Sequence, residues 1–127
     1  MLIGMPPVVE PSLDEVVLDE RGTFKYVQVK ADLGDKQTQR ILVRGYNHCE
    51  FHADVLERAE TELKKIAPQA ELLPLGGGRI RISKEDKTIF IYGYSQAFGR
   101  PDHSLTADMC RKHYGETFTV TWSNDGY

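Results

Sequence analysis

One stretch contributes most to the prediction of the fold: Thr23-Phe24-Lys25-Tyr26-Val27-Gln28-Val29-Lys30. Aromatic and β-branched residues dominate it, and this composition favours a β-strand. Side chains alternate across a strand, so Lys25, Val27 and Val29 share one face, opposite the face of Phe24, Tyr26 and Gln28. Lys25 therefore lies on an apolar face near the start of the strand, where the ordinary interpretation is a lysine that extends along the core to water.

The segments that follow predict a second strand and a helix. Residues 39–46 form the second strand, and the short loop before it favours antiparallel pairing. Pro68 ends the helix, which begins either at a capping box of Asn47 and Glu50 or nearer His52. Its apolar stripe has helical spacing and consists of His52, Val55, Leu56, Ala59, Leu63 and Ile66.

The remainder of the chain predicts shorter elements. Residues 1–20 hold three prolines and form a variable lead-in, either irregular or an edge strand. The run Gly76-Gly77-Gly78 predicts a break between strands. A second helix, capped by Ser104 or Thr106, runs to about His113, with Gly115 as its stop. The further strands are predicted at residues 70–73, 79–83, 88–94 and 118–122.

Together these elements predict an α+β domain. Its order is β-β-α-β-β-β-α-β, which gives a single mixed sheet of about six strands packed with two α-helices. The chain has 127 residues, which is the length of one domain and is cramped for two. We therefore treat residues 1–127 as a single domain.

Composition excludes several classes of protein. Hydrophobic residues make up 40% and charged residues 28%, as in soluble globular domains. The formal net charge of −3 argues against a surface tuned to nucleic acid. No apolar run approaches the roughly 20 residues that span a bilayer, and no signal-peptide pattern begins the chain. Two cysteines are too few for a disulfide scaffold. We expect a cytoplasmic monomer that binds neither nucleic acid nor membrane.

Two motifs leave functional alternatives open. The glycine run leads into Arg79 and is either a flexible loop or a backbone that approaches an anion closely. His48 and His52 have a spacing that allows a metal on a helix face, but no third ligand is evident. His52 alone is most often a hydrogen-bonded, partly buried histidine. From the residues alone, the chain is a soluble α+β domain with a candidate anion pocket.

Six blocks in order carry a resemblance to a known family: residues 22–27, 43–46, 50–54, 75–80, 92–99 and 120–127. The block of residues 92–99 is Tyr-Gly-Tyr-Ser-Gln-Ala-Phe-Gly, and that of residues 120–127 is Val-Thr-Trp-Ser-Asn-Asp-Gly-Tyr. In this order they resemble the small protein histidine phosphatases of the Janus/Ocnus family, from about Gly22 onward.

The resemblance implies hydrolysis of phosphohistidine in proteins or peptides, and of related phosphoramidates such as phospholysine, with no metal or cofactor. His52 matches the catalytic histidine, which acts as a general base on water or as the nucleophile. The positions that match phosphate-binding residues are the basic side chains of Lys25, Arg44 and Arg79 and the backbone amides at Ala53, Ser95 and Ala97. The alternatives are a module that binds phosphorylated side chains without cleaving them and a developmental interaction protein.

Overall fold

The computed structural model describes residues 13–34 and 39–127. Within these ranges one mixed sheet of six strands packs with two helices, which confirms the predicted α+β class. The elements are β1 (Val16–Leu18), β2 (Gly22–Asp32), β3 (Gln39–Tyr46), α1 (His52–Ile66), β4 (Glu71–Ser83), β5 (Thr88–Tyr92), α2 (His103–Tyr114) and β6 (Thr119–Trp122). The spatial order is β1-β3-β2-β4-β5-β6. The β1–β3 and β5–β6 pairs are parallel, and the other pairs are antiparallel.

The alternation of side chains along β2 places the two helices on opposite faces of the sheet. Phe24 and Tyr26 pack in one buried cluster with Ala107 of α2. Val27 packs in a second buried cluster, which includes Val55 of α1. Successive residues of one strand point to opposite faces, so β2 lies in the middle layer of the domain and the predicted faces of this strand are confirmed.

The glycine run does not break the sheet, contrary to the prediction. The segments expected at residues 70–73 and 79–83 are one strand, β4, and the glycines lie inside it. A Cβ on Gly77 would lie 2.6 Å from the His52 Cδ2 atom, and one on Gly78 would lie 2.8 Å from the His103 Cε1 atom. Glycine is therefore required here because a histidine packs directly against each face of the strand. The sixth strand is instead β1, an edge strand in the predicted lead-in.

The helix boundaries follow two of the expected signals and depart from two others. Helix α1 ends at Ile66, just before Pro68, and Gly115 caps the end of α2 with φ of 83°. The capping box of Asn47 and Glu50 does not form, because the Asn47 amide donates to the Asp19 carboxylate at 2.6 Å and α1 begins at His52.

The cap of α2 also differs from the prediction. Its N-cap is Asp102, whose carboxylate accepts from the amides of Ser104 and Leu105. Thr106 is instead fully buried and bonds to Gln28 and Tyr26. No helix among the described residues is long and apolar enough to cross a membrane.

Candidate functional site

Two cations lie side by side on the α1 face of the sheet. Lys25 of β2 and Arg79 of β4 are directly opposite each other in the antiparallel register, so their side chains share a face. No ion pair within the described part of the chain uses either of them. Their positive charge is therefore available to an anionic ligand.

Both cations line a cavity of about 390 Å³, a volume in the usual range for a small-molecule site. The other walls come from the start of α1, from the loop after β5 and from the end of the chain. The remaining lining residues are Glu50, Phe51, His52, Ala53, Tyr94, Ser95, Gln96, Ala97 and Tyr127.

His52 is the first residue of α1, and one edge of its ring faces the sheet. Its Nε2 atom lies 2.9 Å from the carbonyl oxygen of Gly78. A carbonyl only accepts, so Nε2 carries the hydrogen in this bond. The Cδ2 and Nε2 atoms are those nearest Gly77, so the opposite edge, with Nδ1, faces away from the strand toward the cavity that His52 lines.

The Nδ1 atom of His52 is a free acceptor. Among the described residues, no buried side-chain nitrogen or oxygen lacks a hydrogen-bond partner, and the hydrogen bond of this ring is made by Nε2. The lone pair on Nδ1 is therefore open to solvent or to a ligand. A histidine whose tautomer is held by a backbone carbonyl in this way is set up to take a proton at the other nitrogen.

The surroundings of His52 lower its pKa below the ordinary value of 6.5. Burial contributes most, and the charges of Lys25 and Arg79 lower the pKa further, while the bond to the Gly78 carbonyl acts in the opposite direction. Both lowering effects oppose the addition of positive charge to the ring. The imidazole is therefore neutral at pH 7 and able to act as a base.

The N-terminus of α1 adds oriented backbone donors. The first amides of a helix have no acceptor within the helix and carry a partial positive charge. The N-cap is Phe51, whose side chain makes no capping hydrogen bond, while its own amide donates to the Asp54 carboxylate at 2.9 Å. The amides at the start of α1, beside Ala53, are thus not occupied by an N-cap side chain, and helix N-termini of this kind commonly bind anions.

The loop after β5 supplies Ser95 and Ala97. Ser95 is buried, and its amide donates to the Gly99 carbonyl at 3.2 Å, so this amide is already used within the turn. Its hydroxyl oxygen accepts from the Phe98 amide at 3.0 Å and keeps its own hydrogen to donate. The hydroxyl group is thus the better donor to a ligand in this geometry. Ala97 lines the cavity from the exposed side of the loop.

Arg44 lies outside this cavity, although the resemblance implies a phosphate-binding role for it. Its guanidinium donates to the carbonyl oxygens of Asp14 at 2.8 Å, Glu15 at 3.2 Å and Val43 at 3.0 Å. It lines a different cavity, beside Arg58 and Ile66. Arg44 is buried, and in this structure it holds the segment before β1 against β3.

The metal alternative for His48 and His52 has no support in the geometry. His48 lies in a turn with φ of 65°, before α1 begins, so the two rings do not share a helix face. The Nε2 atom of His52 is bonded to Gly78. The described residues contain no group of three His, Cys, Asp or Glu side chains suited to a metal ion.

Sequence reasoning missed two aromatic residues at the mouth of the cavity, Phe51 and Tyr127. Phe51 is 62% exposed and Tyr127 is 49% exposed. One signal was available for Phe51, since a large apolar residue just before a helix is a poor N-cap. Nothing local marks Tyr127, because its place at the cavity depends on how the end of the chain packs against Gly93.

The fold and site define a class: an α+β domain in which paired cations, a helix N-terminus and one neutral imidazole line the same pocket. The model of the Janus/Ocnus family matches residues 11–117. The chain therefore belongs to the Janus/Ocnus family.

Named relatives of the chain fall into two groups. It is 35% identical over 120 residues to the 14 kDa phosphohistidine phosphatase of Sus scrofa, which covers 91% of this chain and 93% of the relative. For the human protein of the same name the identity is 34%, over 91% of this chain and 94% of the relative. The sex-regulated protein janus-A of Drosophila melanogaster is 39% identical over 88% of this chain and 80% of the relative.

Proposed function

We propose that this protein hydrolyses phosphohistidine in proteins or peptides and releases inorganic phosphate. The observation that carries the proposal is the accessible Nδ1 of His52 on the same cavity as Lys25 and Arg79. The names of the two phosphatase relatives support this substrate. Phospholysine, which has the same P–N bond, is proposed as a further substrate.

The phosphoryl group is held by charge and by oriented donors. Lys25 and Arg79 neutralise its oxygens, with the guanidinium able to bind two oxygens at once. The amides beside Ala53 and the Ser95 hydroxyl supply further hydrogen bonds. Phosphoryl transfer requires mainly positioning and charge stabilisation, and these cations and donors provide both.

His52 supplies the proton transfer. As a water oxygen forms a bond to phosphorus, Nδ1 of His52 takes the proton from that water, and the P–N bond breaks with its electron pair going to the substrate nitrogen. The resulting imidazolium is stabilised by the Nε2 bond to the Gly78 carbonyl. The proton then goes to the leaving imidazole, which departs neutral and returns His52 to its starting state.

A second route uses the same atom as the nucleophile. Nδ1 attacks phosphorus, and the substrate imidazole leaves with the P–N electron pair and takes up a proton from solvent. Water then attacks phosphorus, the P–Nδ1 bond breaks with its electron pair returning to Nδ1, and inorganic phosphate and the proton of that water are released to solvent. Rapid quenching of single-turnover reactions separates the two routes. An acid-labile phosphate on His52 during turnover supports the nucleophile, and its absence supports the general base.

The primary test measures phosphate release from a phosphohistidine peptide in the presence of EDTA. Wild-type protein should release phosphate, whereas His52→Ala should lower kcat by at least about 10²-fold. The matched control is His113→Ala, because His113 is exposed on α2 and does not line this cavity. Full turnover by His52→Ala contradicts the mechanism, and loss of wild-type activity in EDTA contradicts metal independence.

The remaining expectations extend the proposal. We propose that the protein acts as a cytoplasmic monomer on phosphohistidine proteins and binds neither nucleic acid nor membrane. A pocket that only binds phosphorylated side chains needs the cations and not the imidazole base. Tight binding of a phosphohistidine peptide with no release of phosphate would therefore favour that alternative.

A further inference from the structure

The cavity is larger than the group that its cations hold. A phosphoryl group has four heavy atoms and fills roughly 120 Å³ at about 30 Å³ for each water-sized atom. The cavity has about 390 Å³. More than half of it therefore accommodates what is attached to phosphorus, and its walls determine which leaving group fits.

Phe51 forms one of these walls, and neither helix capping nor core packing explains its presence. It occupies the N-cap of α1 without a side-chain hydrogen bond, at a position where Ser, Thr, Asp or Asn is preferred. Its side chain is 62% exposed, so it contributes little to the core. It lines the cavity together with Tyr94 and Tyr127, and aromatic side chains are typical of the walls of small-molecule sites.

Tyr127 forms a second wall, and both its backbone and its ring lie against neighbouring residues. Its backbone lies against Gly93, where an added Cβ would be 3.0 Å from the Tyr127 carbonyl carbon. Its ring meets Tyr94 edge-on, with centroids 4.8 Å apart. The Arg79 guanidinium carbon lies 5.6 Å from the centre of the Tyr127 ring. The Tyr127 ring therefore lies beside the guanidinium that would hold the phosphoryl group.

We infer that Phe51 and Tyr127 form a subsite for the imidazole ring of phosphohistidine and determine specificity for it over non-aromatic phosphoramidates. The inference rests on the proposed function. Flat aromatic rings pack well against aromatic walls. An aliphatic or ammonia leaving group has no ring to pack against these walls.

The test compares phosphoramidate, which has no ring, with a phosphohistidine peptide and the phospholysine peptide of the same sequence. We expect Phe51→Ala and Tyr127→Leu each to raise KM for the phosphohistidine peptide roughly 3- to 10-fold. KM for phosphoramidate should be unchanged, and KM for the phospholysine peptide should rise less than KM for the phosphohistidine peptide. Tyr127→Phe keeps the ring and should behave as wild type.

Leu73→Ala is the matched control for the loss of an exposed apolar side chain. Leu73 is 59% exposed and does not line the cavity, so this variant should leave all three substrates unaffected. Thermal unfolding of each variant separates loss of the subsite from loss of the fold.

The outcomes distinguish two failures. If wild-type protein hydrolyses the phosphohistidine peptide but the variants raise KM for it and for phosphoramidate equally, or for neither, the subsite is overturned and the proposed function stands. If wild-type protein releases no phosphate from any of the substrates, both are overturned.

Discussion

Two histidines pack against opposite faces of β4 and differ in how many of their ring nitrogens the protein uses. His52 bonds to the Gly78 carbonyl through Nε2 and leaves Nδ1 open to the cavity. His103 uses both nitrogens, with Nε2 2.7 Å from the Gly93 carbonyl and Nδ1 2.6 Å from the Tyr26 hydroxyl. Both residues are histidines, and each ring packs against a glycine of β4. Under the proposed function, this free nitrogen is what distinguishes His52, the reactive histidine, from His103, a structural one.

Two arginines follow the same rule. The Arg44 guanidinium donates hydrogen bonds to three backbone carbonyls. The Arg79 guanidinium instead contacts an aromatic ring at the edge of the cavity. A polar group whose hydrogen bonds are all made within the protein destabilises the fold when it is removed, but it has no free donor or acceptor for a ligand. Satisfaction of hydrogen bonds, more than residue type, therefore distinguishes the site from its surroundings.

The largest effect on stability is expected for His103→Ala. The substitution leaves a void in a fully buried region and removes the closer of the two hydrogen-bond partners of the Tyr26 hydroxyl, so the free energy of unfolding should fall by about 2–4 kcal/mol. Urea unfolding followed by circular dichroism measures it. His52→Ala should cost clearly less, because its ring keeps one nitrogen unbonded. Equal losses for the two variants would remove the distinction between the histidines.

Arg79→Met and Arg44→Met should separate binding from stability. Arg79→Met should weaken inhibition by inorganic phosphate by about 10-fold or more, since it removes a charge-assisted hydrogen-bond donor. Arg44→Met should leave that inhibition constant unchanged and instead lower the free energy of unfolding, because three carbonyls lose their donor. Inhibition kinetics and urea unfolding provide the two measurements. A weaker phosphate interaction in Arg44→Met would restore the role that the family resemblance implies.

Both histidines should make the protein less stable in mild acid. Burial lowers the pKa of His52 and of His103 below 6.5, so below that pH the unfolded chain binds more protons than the folded one. Stability is thus complete above pH 6.5 and falls as the pH drops, by at most about 1.4 kcal/mol per unit for each histidine. Urea unfolding at several pH values between 7.5 and 5 measures the slope. His103→Gln should flatten it, and a slope of opposite sign would contradict the assignment.

Local signals in the sequence predicted what depends on local structure. The two faces of β2, the end of α1 before Pro68 and the cap at Gly115 all follow from alternation and backbone chemistry. The family resemblance located His52, Lys25 and Arg79, which the fold brings to one cavity.

Features that depend on distant partners were not predictable in this way. Glycines ordinarily interrupt strands, but Gly77 and Gly78 pair with β2 inside β4, and His52 and His103 leave no room there for a Cβ. Likewise, the direction of Arg44 depends on where the segment before β1 lies. No spacing along the chain encodes these contacts.

The smallest effect concerns the N-cap of α1, where stability and binding should oppose each other. Phe51→Asn introduces a side-chain acceptor for the first helical amides and should raise the free energy of unfolding by about 1 kcal/mol. The same bond occupies donors that the phosphoryl group needs, so KM for phosphoramidate should rise by a few-fold.

Phe51→Leu is the matched control, because leucine has a similar size to asparagine but cannot cap the helix. It should leave both the stability and KM for phosphoramidate close to wild type. Phosphoramidate is the right substrate here because it has no ring to contact residue 51. If Phe51→Asn gains stability and binds phosphoramidate as well as Phe51→Leu does, the amides of α1 do not contact the anion. The open Nδ1 of His52 would then act with the side-chain donors alone.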